Sequence, residues 1–345
     1  MKKHFHTDLP NIAFIVGMGR SGTTMLTSML NMNEQIIATP ENEFTIFSYS
    51  YFKSEKFSSI KQINFFATLF NYDFNNVINI WKPKGLVNKI ENLKDKTFAN
   101  VCKLVYLSYP LSNKINNDVK WVIDKNPSYS LQINTLQKIY PEAKYILIVR
   151  DYRDNIVSRK KYSDKNSSIY KLAAAWNYYY SQIFKAISKH KLPHFIVKYE
   201  DLVQFPEKTL REICFFLDVE YNANMLKFQD FSKEIKKHAQ LNLSDTKFEK
   251  VSNMHSNLDK EVNTERVEAF KKELTVSEIE ILDLVCSKHA KTFNYKPISG
   301  NSSINFFKKI KYSIAFLEVV IFDGIKKTYY SLPLKFRLLF KKTFD

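Results

Sequence analysis

Glycine is scarce in this sequence: there are only 6 among 345 residues. Three of the six, Gly17, Gly19 and Gly22, lie in one short stretch, NIAFIVGMGRSGTTMLTSMLN at 11–31. Glycine is needed where a backbone bends sharply or comes close to a ligand. The scarcity elsewhere therefore singles out this stretch as the first place to look for a binding loop.

Cysteine and long apolar runs are also rare. The 3 cysteines, Cys102, Cys214 and Cys286, are widely spaced and match no disulfide or zinc pattern, which predicts reduced core cysteines in a cytosolic-type setting. No run reaches the roughly 18 apolar residues that span a bilayer, and no signal-peptide pattern precedes the first strand. We expect a cytoplasmic protein, with a peripheral position at the inner membrane face as a further option.

Acidic residues are outnumbered: 52 Lys and Arg face 35 Asp and Glu, a formal net charge of +17. Such an excess predicts an anionic partner, such as a nucleotide, an acidic glycan, a nucleic acid or a lipid head group. A lysine-rich bias that only aids solubility explains many of the same residues. No zinc, haem or RNA-binding motif is visible, and we expect no nucleic-acid partner.

The order of apolar segments predicts an α/β fold. Four short apolar runs have the composition of buried parallel strands: 11–17, 120–128, 143–150 and 194–202. Helical patterns separate them, which predicts a central parallel sheet with helices on both faces and a P-loop-like nucleotide fold. We assign residues 1–300 to one domain with a helical insertion at about 43–115, and expect a mobile segment at 223–263.

The C-terminal segment 301–345 has a composition of its own. Its pattern is helical, and 9 Lys and Arg are interleaved with Phe, Tyr and Leu. That is the composition of an amphipathic helix lying on an anionic membrane surface. A helix packed on the domain with a solvated basic face explains the same residues.

The glycine-rich stretch resembles a phosphate-binding loop in which the usual lysine is replaced by another residue. In the Walker pattern G-x-x-x-x-G-K-[ST], Gly22 fills the second glycine position, Thr23 stands where lysine belongs and Thr24 where the magnesium-binding hydroxyl belongs. Backbone N–H groups at the helix start still favour an anion, with Arg20 and Ser21 as further donors. Without the lysine, a shorter phosphoryl or sulfuryl anhydride held without a metal suits the loop better than a triphosphate.

A second basic position follows the strand at 143–150. Arg150 closes that strand at the carboxyl edge, where open α/β sheets bind ligands. Ser158 lies about two helical turns further on. A guanidinium with a nearby hydroxyl suits a phosphate monoester, although an arginine capping the sheet edge and a serine on a solvated helix would give the same spacing.

Together, GMGRSGTTML and YILIVRDYRDNIVS resemble the motifs of the PAPS-dependent sulfotransferase superfamily, and the resemblance covers about residues 10–290. It implies 3′-phosphoadenosine 5′-phosphosulfate (PAPS) as sulfuryl donor, 3′,5′-ADP as product and no metal. It further implies that the first motif cradles the 5′-phosphosulfate, while Arg150 and Ser158 grip the 3′-phosphate. Tyr199, in VKYEDL, matches a tyrosine near the nucleotide.

Many relatives have lysine at the position of Arg20. In having arginine there, the sequence resembles the branch of protein-tyrosine and bacterial carbohydrate sulfotransferases. In that branch the base is a glutamate after the first helix, and Glu41 in ATPENEF stands at the corresponding position, with Glu43 as the rival. A carboxylate can take the proton of an attacking hydroxyl. Lys125 in DKNPS matches a family lysine and, like Arg20, could stabilise developing negative charge. Alternatively, both glutamates cap the following helix.

Some positions depart from the family pattern. Tyr162 stands where relatives carry a further arginine, and Phe270 where they carry a tryptophan beside the loop that folds over the nucleotide. Three lysines are candidates for a nucleotide contact in that loop: Lys260, Lys271 and Lys272.

Two other functions remain open. A nucleotide kinase or other P-loop NTPase would need a strand-end carboxylate for magnesium, for which Asp124 is available. A non-enzymatic protein that binds polyanions or membranes is the second. For the sulfotransferase, we expect the acceptor to offer a hydroxyl, on a glycan or other cell-surface component, with lipid and peptide as further options.

Overall fold

The fold is known from a computed structural model that describes residues 9–39, 41–53, 57, 59–71, 85–109, 119–162, 166–229, 231, 233, 240, 260–299, 306–333 and 336–337. Within these residues five strands form one sheet: β1 (Asn11–Val16), β2 (Ile36–Thr39), β3 (Trp121–Lys125), β4 (Lys144–Val149) and β5 (His194–Lys198). Their order is β2-β3-β1-β4-β5, and every neighbouring pair is parallel. The predicted parallel sheet is thus confirmed, with β1 at its centre.

The strands form where short apolar runs are buried on both faces. Alternate residues of β1 belong to two separate core layers, with Phe14 and Val16 in one and Ala13 and Ile15 in the other, as the period of two along a strand requires. β2 was not among the predicted strands. Its sequence, IIAT, is too short to show a periodicity.

Helices cover both faces of the sheet, as predicted. The first half of the described chain contributes α1 (Thr23–Asn31), α2 (Phe44–Phe52), α3 (Ile60–Asn71), α4 (Leu86–Glu91), α5 (Phe98–Leu107) and α6 (Ile133–Ile139). The second half contributes α7 (Tyr152–Tyr162), α8 (Ile169–His190), α9 (Tyr199–Gln204), α10 (Pro206–Leu217), α11 (Phe270–Glu273), α12 (Val276–Thr292) and α13 (Phe306–Ser331).

The region at about 43–115 contains α2 to α5, joined by a cluster of phenylalanines. The ring of Phe52 lies 5.0 Å from that of Phe57, 5.3 Å from Phe66 and 6.3 Å from Phe98. Such aromatic contacts bury much apolar area in little space. Residues 72–84 and 110–118 of this region lie outside the described residues, and the boundaries of the insertion stay a prediction.

The C-terminal helix α13 packs along α8. Asn177 of α8 donates a hydrogen bond of 2.7 Å to the hydroxyl of Tyr312, and Tyr178 donates one of 2.5 Å to Asp323. The helical C-terminal extension is confirmed, but residues 301–305 and 338–345 of the predicted tail lie outside the described residues. Among the helices that the structure describes, none is both long and apolar enough to cross a bilayer.

Two smaller expectations meet the structure only in part. All three cysteines are buried and none forms a disulfide; the cytoplasmic location inferred from their pattern stays a prediction. In the segment 223–263, residues Ala223–Lys227 form a short 3-10 helix. Most of the remainder, including 241–259, lies outside the described residues. The expectation that this segment is mobile therefore stays a prediction.

Candidate active site

The loop between β1 and α1 has an unusual backbone. Gly17, Arg20 and Gly22 have φ angles of 147°, 70° and 89°, and a non-glycine residue such as Arg20 is uncommon in this region. A Cβ atom at Gly22 would lie 2.6 Å from the ring of Tyr199, so the loop passes too close to α9 for any side chain. Together with the start of α1, such a turn presents backbone N–H groups suited to an anion.

Two polar side chains hold the loop in this shape. The Ser130 hydroxyl accepts a hydrogen bond from the N–H of Gly17 at 2.8 Å and donates one to its carbonyl at 3.1 Å. The Asn155 amide donates to the carbonyl of Gly19 at 2.9 Å and to the Ser21 hydroxyl at 3.0 Å. Ser21 is fully buried, so its side chain supports the loop from inside rather than facing a ligand.

A cleft open to solvent lies beside the loop. Seven of the residues predicted to bind a nucleotide line it: Arg20, Gly22, Thr23, Thr24, Arg150, Ser158 and Tyr199. Residues from the first loop, from α7 and from the start of α9 therefore meet at one cleft, as the spacing of the two motifs required.

Arg150 stands directly after β4 and is almost entirely buried. Its guanidinium donates to the backbone carbonyls of Arg20 at 3.3 Å and Arg266 at 2.6 Å, and lies 4.4 Å from the centre of the Tyr199 ring. Its buried Nε has no hydrogen-bond partner among the described residues. A buried donor left in this state is costly, which marks Arg150 as a residue with capacity for an anion.

Ser158 lies next to Arg20. The Arg20 Nε donates to the Ser158 hydroxyl at 3.3 Å, and the Arg20 guanidinium lies 4.9 Å from the Tyr162 ring. Burial lowers the pKa of Arg20, and the positive charges of Arg150 and Arg266 lower it further. Like charges are thus concentrated in the cleft, an arrangement that an anion would relieve.

Arg266 is a cleft residue that the sequence reasoning missed. Its guanidinium donates to Glu273 at 2.9 Å and to the Tyr162 hydroxyl at 3.4 Å. Two of the lysines that were candidates for a nucleotide contact do not line the cleft. Lys260 and Lys271 are exposed and are paired with Glu265 and Glu268. One signal was available, since Arg266 is the only arginine between 250 and 272, but no glycine or strand marks the position.

The segment around Arg266 is fixed by α7. The Asp154 carboxylate accepts hydrogen bonds from the backbone N–H groups of Glu268 at 2.8 Å and Phe270 at 2.9 Å. Burial raises the pKa of Asp154 to about 6. Phe270 is buried, and its ring lies 4.3 Å from the Arg153 guanidinium. Phe270 therefore anchors the segment to the domain.

A buried cation connects the loop to the predicted base. Lys125, at the end of β3, lies 2.6 Å from the Glu41 carboxylate and donates to the Thr24 hydroxyl at 3.5 Å. The Lys125 side chain is 4% exposed and that of Glu41 is 40% exposed. The carboxyl ends of β2 and β3 and the start of α1 thus place a carboxylate that solvent can reach, a buried ammonium and a hydroxyl in one row.

Glu43 occupies a different environment. One of its carboxylate oxygens accepts from the Ser128 hydroxyl at 3.2 Å and the other from the Tyr330 hydroxyl of α13 at 2.9 Å. It is the N-cap residue of α2 but makes no side-chain capping hydrogen bond. The two rival glutamates therefore have different surroundings: Glu41 contacts the buried Lys125, while Glu43 joins α2 to the C-terminal helix.

Asp124, the carboxylate that a magnesium-dependent NTPase would need, is fully buried. One oxygen accepts from Asn42 at 3.3 Å and the other contacts the Tyr106 hydroxyl at 2.5 Å. Burial raises the pKa of Asp124 to about 8. A neutral acid with both oxygens engaged does not face the cleft, so the NTPase alternative loses its strand-end carboxylate.

Comparison with known proteins points to one family. The model of the Sulfotransferase family matches residues 11–223. A Putative protein-tyrosine sulfotransferase of Caenorhabditis briggsae is 33% identical over 115 residues, covering 30% of this chain and 39% of that protein. Protein-tyrosine sulfotransferase 1 of Danio rerio is 25% identical over 238 residues, covering 66% of this chain and 58% of that protein. The chain thus spans about two fifths to three fifths of these relatives.

The fold has a counterpart among solved structures. The sulfotransferase domain from the curacin biosynthetic pathway aligns with a TM-score of 0.55 and 20% sequence identity, over 84% of this chain and 99% of that one. At this identity the likeness concerns the fold alone.

Proposed function

Because the chain belongs to the Sulfotransferase family, we propose that it transfers a sulfuryl group from PAPS to a hydroxyl of an acceptor. One observation carries the proposal: a cleft with three guanidinium groups adjoins the Glu41–Lys125 pair, and the first turn of α1 belongs to both. Thr24 lines the cleft and accepts the hydrogen bond from Lys125. Sites for an anionic donor and for proton removal are therefore adjacent.

The donor set of the cleft fits PAPS. We assign the 5′-phosphosulfate to Arg20, Thr23, Thr24 and the backbone N–H groups at the start of α1. We assign the 3′-phosphate to Arg150 and Ser158, supported by the buried Arg150 Nε, which has no partner among the described residues. Arginine suits such groups because its planar fork can donate two hydrogen bonds to one phosphate.

Arg266 and Lys161 line the same cleft. Both add positive charge where the donor and its product, 3′,5′-ADP, would bind. Tyr199, whose ring packs on Arg150, fixes the guanidinium in place and contributes a flat apolar face.

Bound PAPS would supply an activated sulfuryl group. The residues of the chain would remove the proton of the acceptor and stabilise the developing negative charge. Glu41 accepts the proton of the acceptor hydroxyl, whose oxygen forms a bond to sulfur as the bond from sulfur to the phosphate oxygen breaks. Lys125 and Arg20 stabilise the negative charge that collects on the departing and sulfuryl oxygens. The exposure of Glu41 leaves it accessible to an acceptor, while burial of Lys125 keeps its charge in a medium where it is poorly screened.

For the acceptor, we propose a hydroxyl on a glycan or other cell-surface component. The net charge of +17 favours acidic acceptors of this kind. The curated relatives are named as protein-tyrosine sulfotransferases, which makes a peptide tyrosine the second candidate. A screen with PAPS against acidic glycans and tyrosine peptides, read out by formation of 3′,5′-ADP, distinguishes the two.

Calorimetry tests the nucleotide assignment directly. The chain should bind 3′,5′-ADP without a metal and more tightly than ATP with Mg²⁺, because the loop lacks the lysine that reaches the β- and γ-phosphates. Tighter binding of ATP with Mg²⁺ would contradict the assignment and restore the NTPase alternative.

A further inference from the structure

The outer face of α13 carries an apolar stripe in contact with solvent. Its members follow one another at intervals of three or four residues: Phe307, Ile310, Ile314, Leu317, Ile321 and Ile325. Phe307, Ile314, Leu317 and Ile321 are 68%, 56%, 58% and 53% exposed. At this spacing all six lie on one face of the helix, and a continuous exposed apolar surface of this kind marks an interaction site.

The orientation of α13 is fixed by its inner face. Tyr312, Asp323 and Tyr330 bind Asn177, Tyr178 and Glu43 of the domain through hydrogen bonds of 2.7, 2.5 and 2.9 Å. Just after the helix, Arg337 binds the carbonyl of Phe47 and, at 2.7 Å, the hydroxyl of Ser50. The apolar stripe therefore faces outward because the other face of the same helix is occupied by the domain.

Lysines border the stripe on both sides. At about 100° per residue, Lys309 and Lys327 lie at one margin of the exposed face and Lys311 at the other, while Lys308 and Lys326 lie on the half-buried side that faces the domain. Lys327 is paired with Asp323 at 2.5 Å, and Glu318 is the acidic residue beside the stripe. The surface thus combines an apolar centre with a basic border, which is the pattern of helices that lie in the interface of an anionic bilayer.

The charge of this border decides between two occupants. A second copy of α13 laid on the first would bring two lysine borders together, with like charges facing each other. An anionic lipid surface instead presents phosphates to the lysines and an acyl boundary to the stripe.

We propose that the outer face of α13 binds an anionic membrane surface, with the stripe inserted at the level of the head groups and the lysines on lipid phosphates. Tyr330 joins this helix to Glu43, two residues from Glu41 in the chain. A docked helix would therefore hold the loop that carries Glu41 at a fixed distance from the lipid surface. The inference concerns binding alone and does not depend on the proposed activity.

Sedimentation of the full-length protein with vesicles, without nucleotide or acceptor, tests the proposal. The wild type should sediment with vesicles of phosphatidylcholine mixed with phosphatidylglycerol at low salt, and much less with phosphatidylcholine alone. Replacing Ile314, Leu317 and Ile321 by Glu should abolish sedimentation. Replacing Lys309 and Lys311, one at each margin, by Gln should weaken it by roughly 25-fold, since each lysine near an anionic surface contributes roughly fivefold.

The control replaces exposed apolar residues elsewhere, Phe215 and Val276, which are 89% and 75% exposed, by Glu. This variant should sediment like the wild type, and thermal melting should show that all variants fold. A wild type that ignores anionic vesicles overturns the proposal, as does a stripe variant that still binds them. A dimer in light scattering that the stripe substitutions dissociate, without any vesicle binding, would instead assign the face to a second copy.

Discussion

The Lys125 ammonium lies 2.6 Å from the Glu41 carboxylate, although 84 positions separate the two in the chain. β2 and β3 are neighbours in the sheet, and the two residues follow or end these strands at the same edge. The pair is half buried: its cation is shielded from water and its anion is open to an acceptor. This contact distinguishes Glu41 from Glu43 more clearly than any spacing argument.

Replacing Glu41 by Gln should remove the proton acceptor while keeping its size. With PAPS and an acceptor, turnover should fall by roughly a hundredfold or more, the usual contribution of a general base. Affinity for 3′,5′-ADP should change little. Steady-state kinetics and calorimetry measure the two quantities separately.

Glu43→Gln is the matched control, because it makes the same chemical change two residues away. The contacts of Glu43 with Ser128 and Tyr330 are structural. The Glu43→Gln variant should therefore have a lower melting temperature and a turnover close to that of the wild type. If Glu41→Gln retained wild-type turnover while Glu43→Gln lost it, the base would be Glu43.

Arg150→Ala should weaken binding of 3′,5′-ADP by roughly tenfold to a hundredfold, as expected for losing a hydrogen bond to a charged group. Binding of 5′-AMP, which lacks the 3′-phosphate, should weaken much less. Calorimetry with both ligands gives the comparison. Equal losses would show that Arg150 only supports the backbone carbonyls of Arg20 and Arg266.

Gly22→Ala should disrupt the loop, since a Cβ at this position meets the Tyr199 ring at 2.6 Å and the φ angle of 89° is strained for alanine. We expect loss of 3′,5′-ADP binding together with a lower melting temperature. The loop offers its own control: a Cβ at Gly19 meets nothing within 4 Å. A Gly19→Ala variant as defective as Gly22→Ala would contradict this account.

Arg266→Ala should weaken the binding of 3′,5′-ADP by roughly tenfold if the Arg266 guanidinium donates a hydrogen bond to the ligand. Lys271→Ala removes a nearby exposed cation paired with Glu268 and should leave affinity unchanged. Repeating both titrations at high salt separates a direct contact from the general field of a basic protein, because salt screens the latter more strongly.

Asp124 should make stability depend on pH. Burial raises its pKa from 3.8 to about 8 in the folded chain, so the folded state holds a proton that the unfolded state releases. The contribution of Asp124 to stability should therefore be fully present below about pH 4 and be lost as the pH rises towards about 8. Asp124→Asn cannot titrate, so its melting temperature relative to the wild type should increase over this range. A constant difference would show that Asp124 is ionised throughout.

The sequence was most informative where a pattern is local. Buried strands appear as apolar runs, and a glycine-rich turn after the first of them indicated the loop that the structure describes. The step from Arg150 to Ser158 spans a single helix, α7, so both could be placed at the same cleft. These features depend on neighbours in the chain, which a sequence displays directly.

Other features depend on contacts between distant segments. Ser158 pairs with Arg20, and Glu43 pairs with Ser128 and with Tyr330, which is 287 positions away. Arg266 reaches the cleft because Asp154 binds the backbone two and four residues beyond it. None of these pairings has a local signature, since the packing of helices around the sheet decides them.

The position of β1 at the centre of the sheet has a consequence for synthesis. β1 leaves the ribosome before both of its neighbours in the sheet, which pair with it through Trp121 of β3 and Lys144 of β4. At the usual speed of translation, on the order of ten seconds pass before both flanking strands exist. During that time a hydrophobic segment waits with both edges unpaired, which is the state most prone to aggregation. A cell that makes this protein must therefore shield β1 until β3 and β4 have been translated.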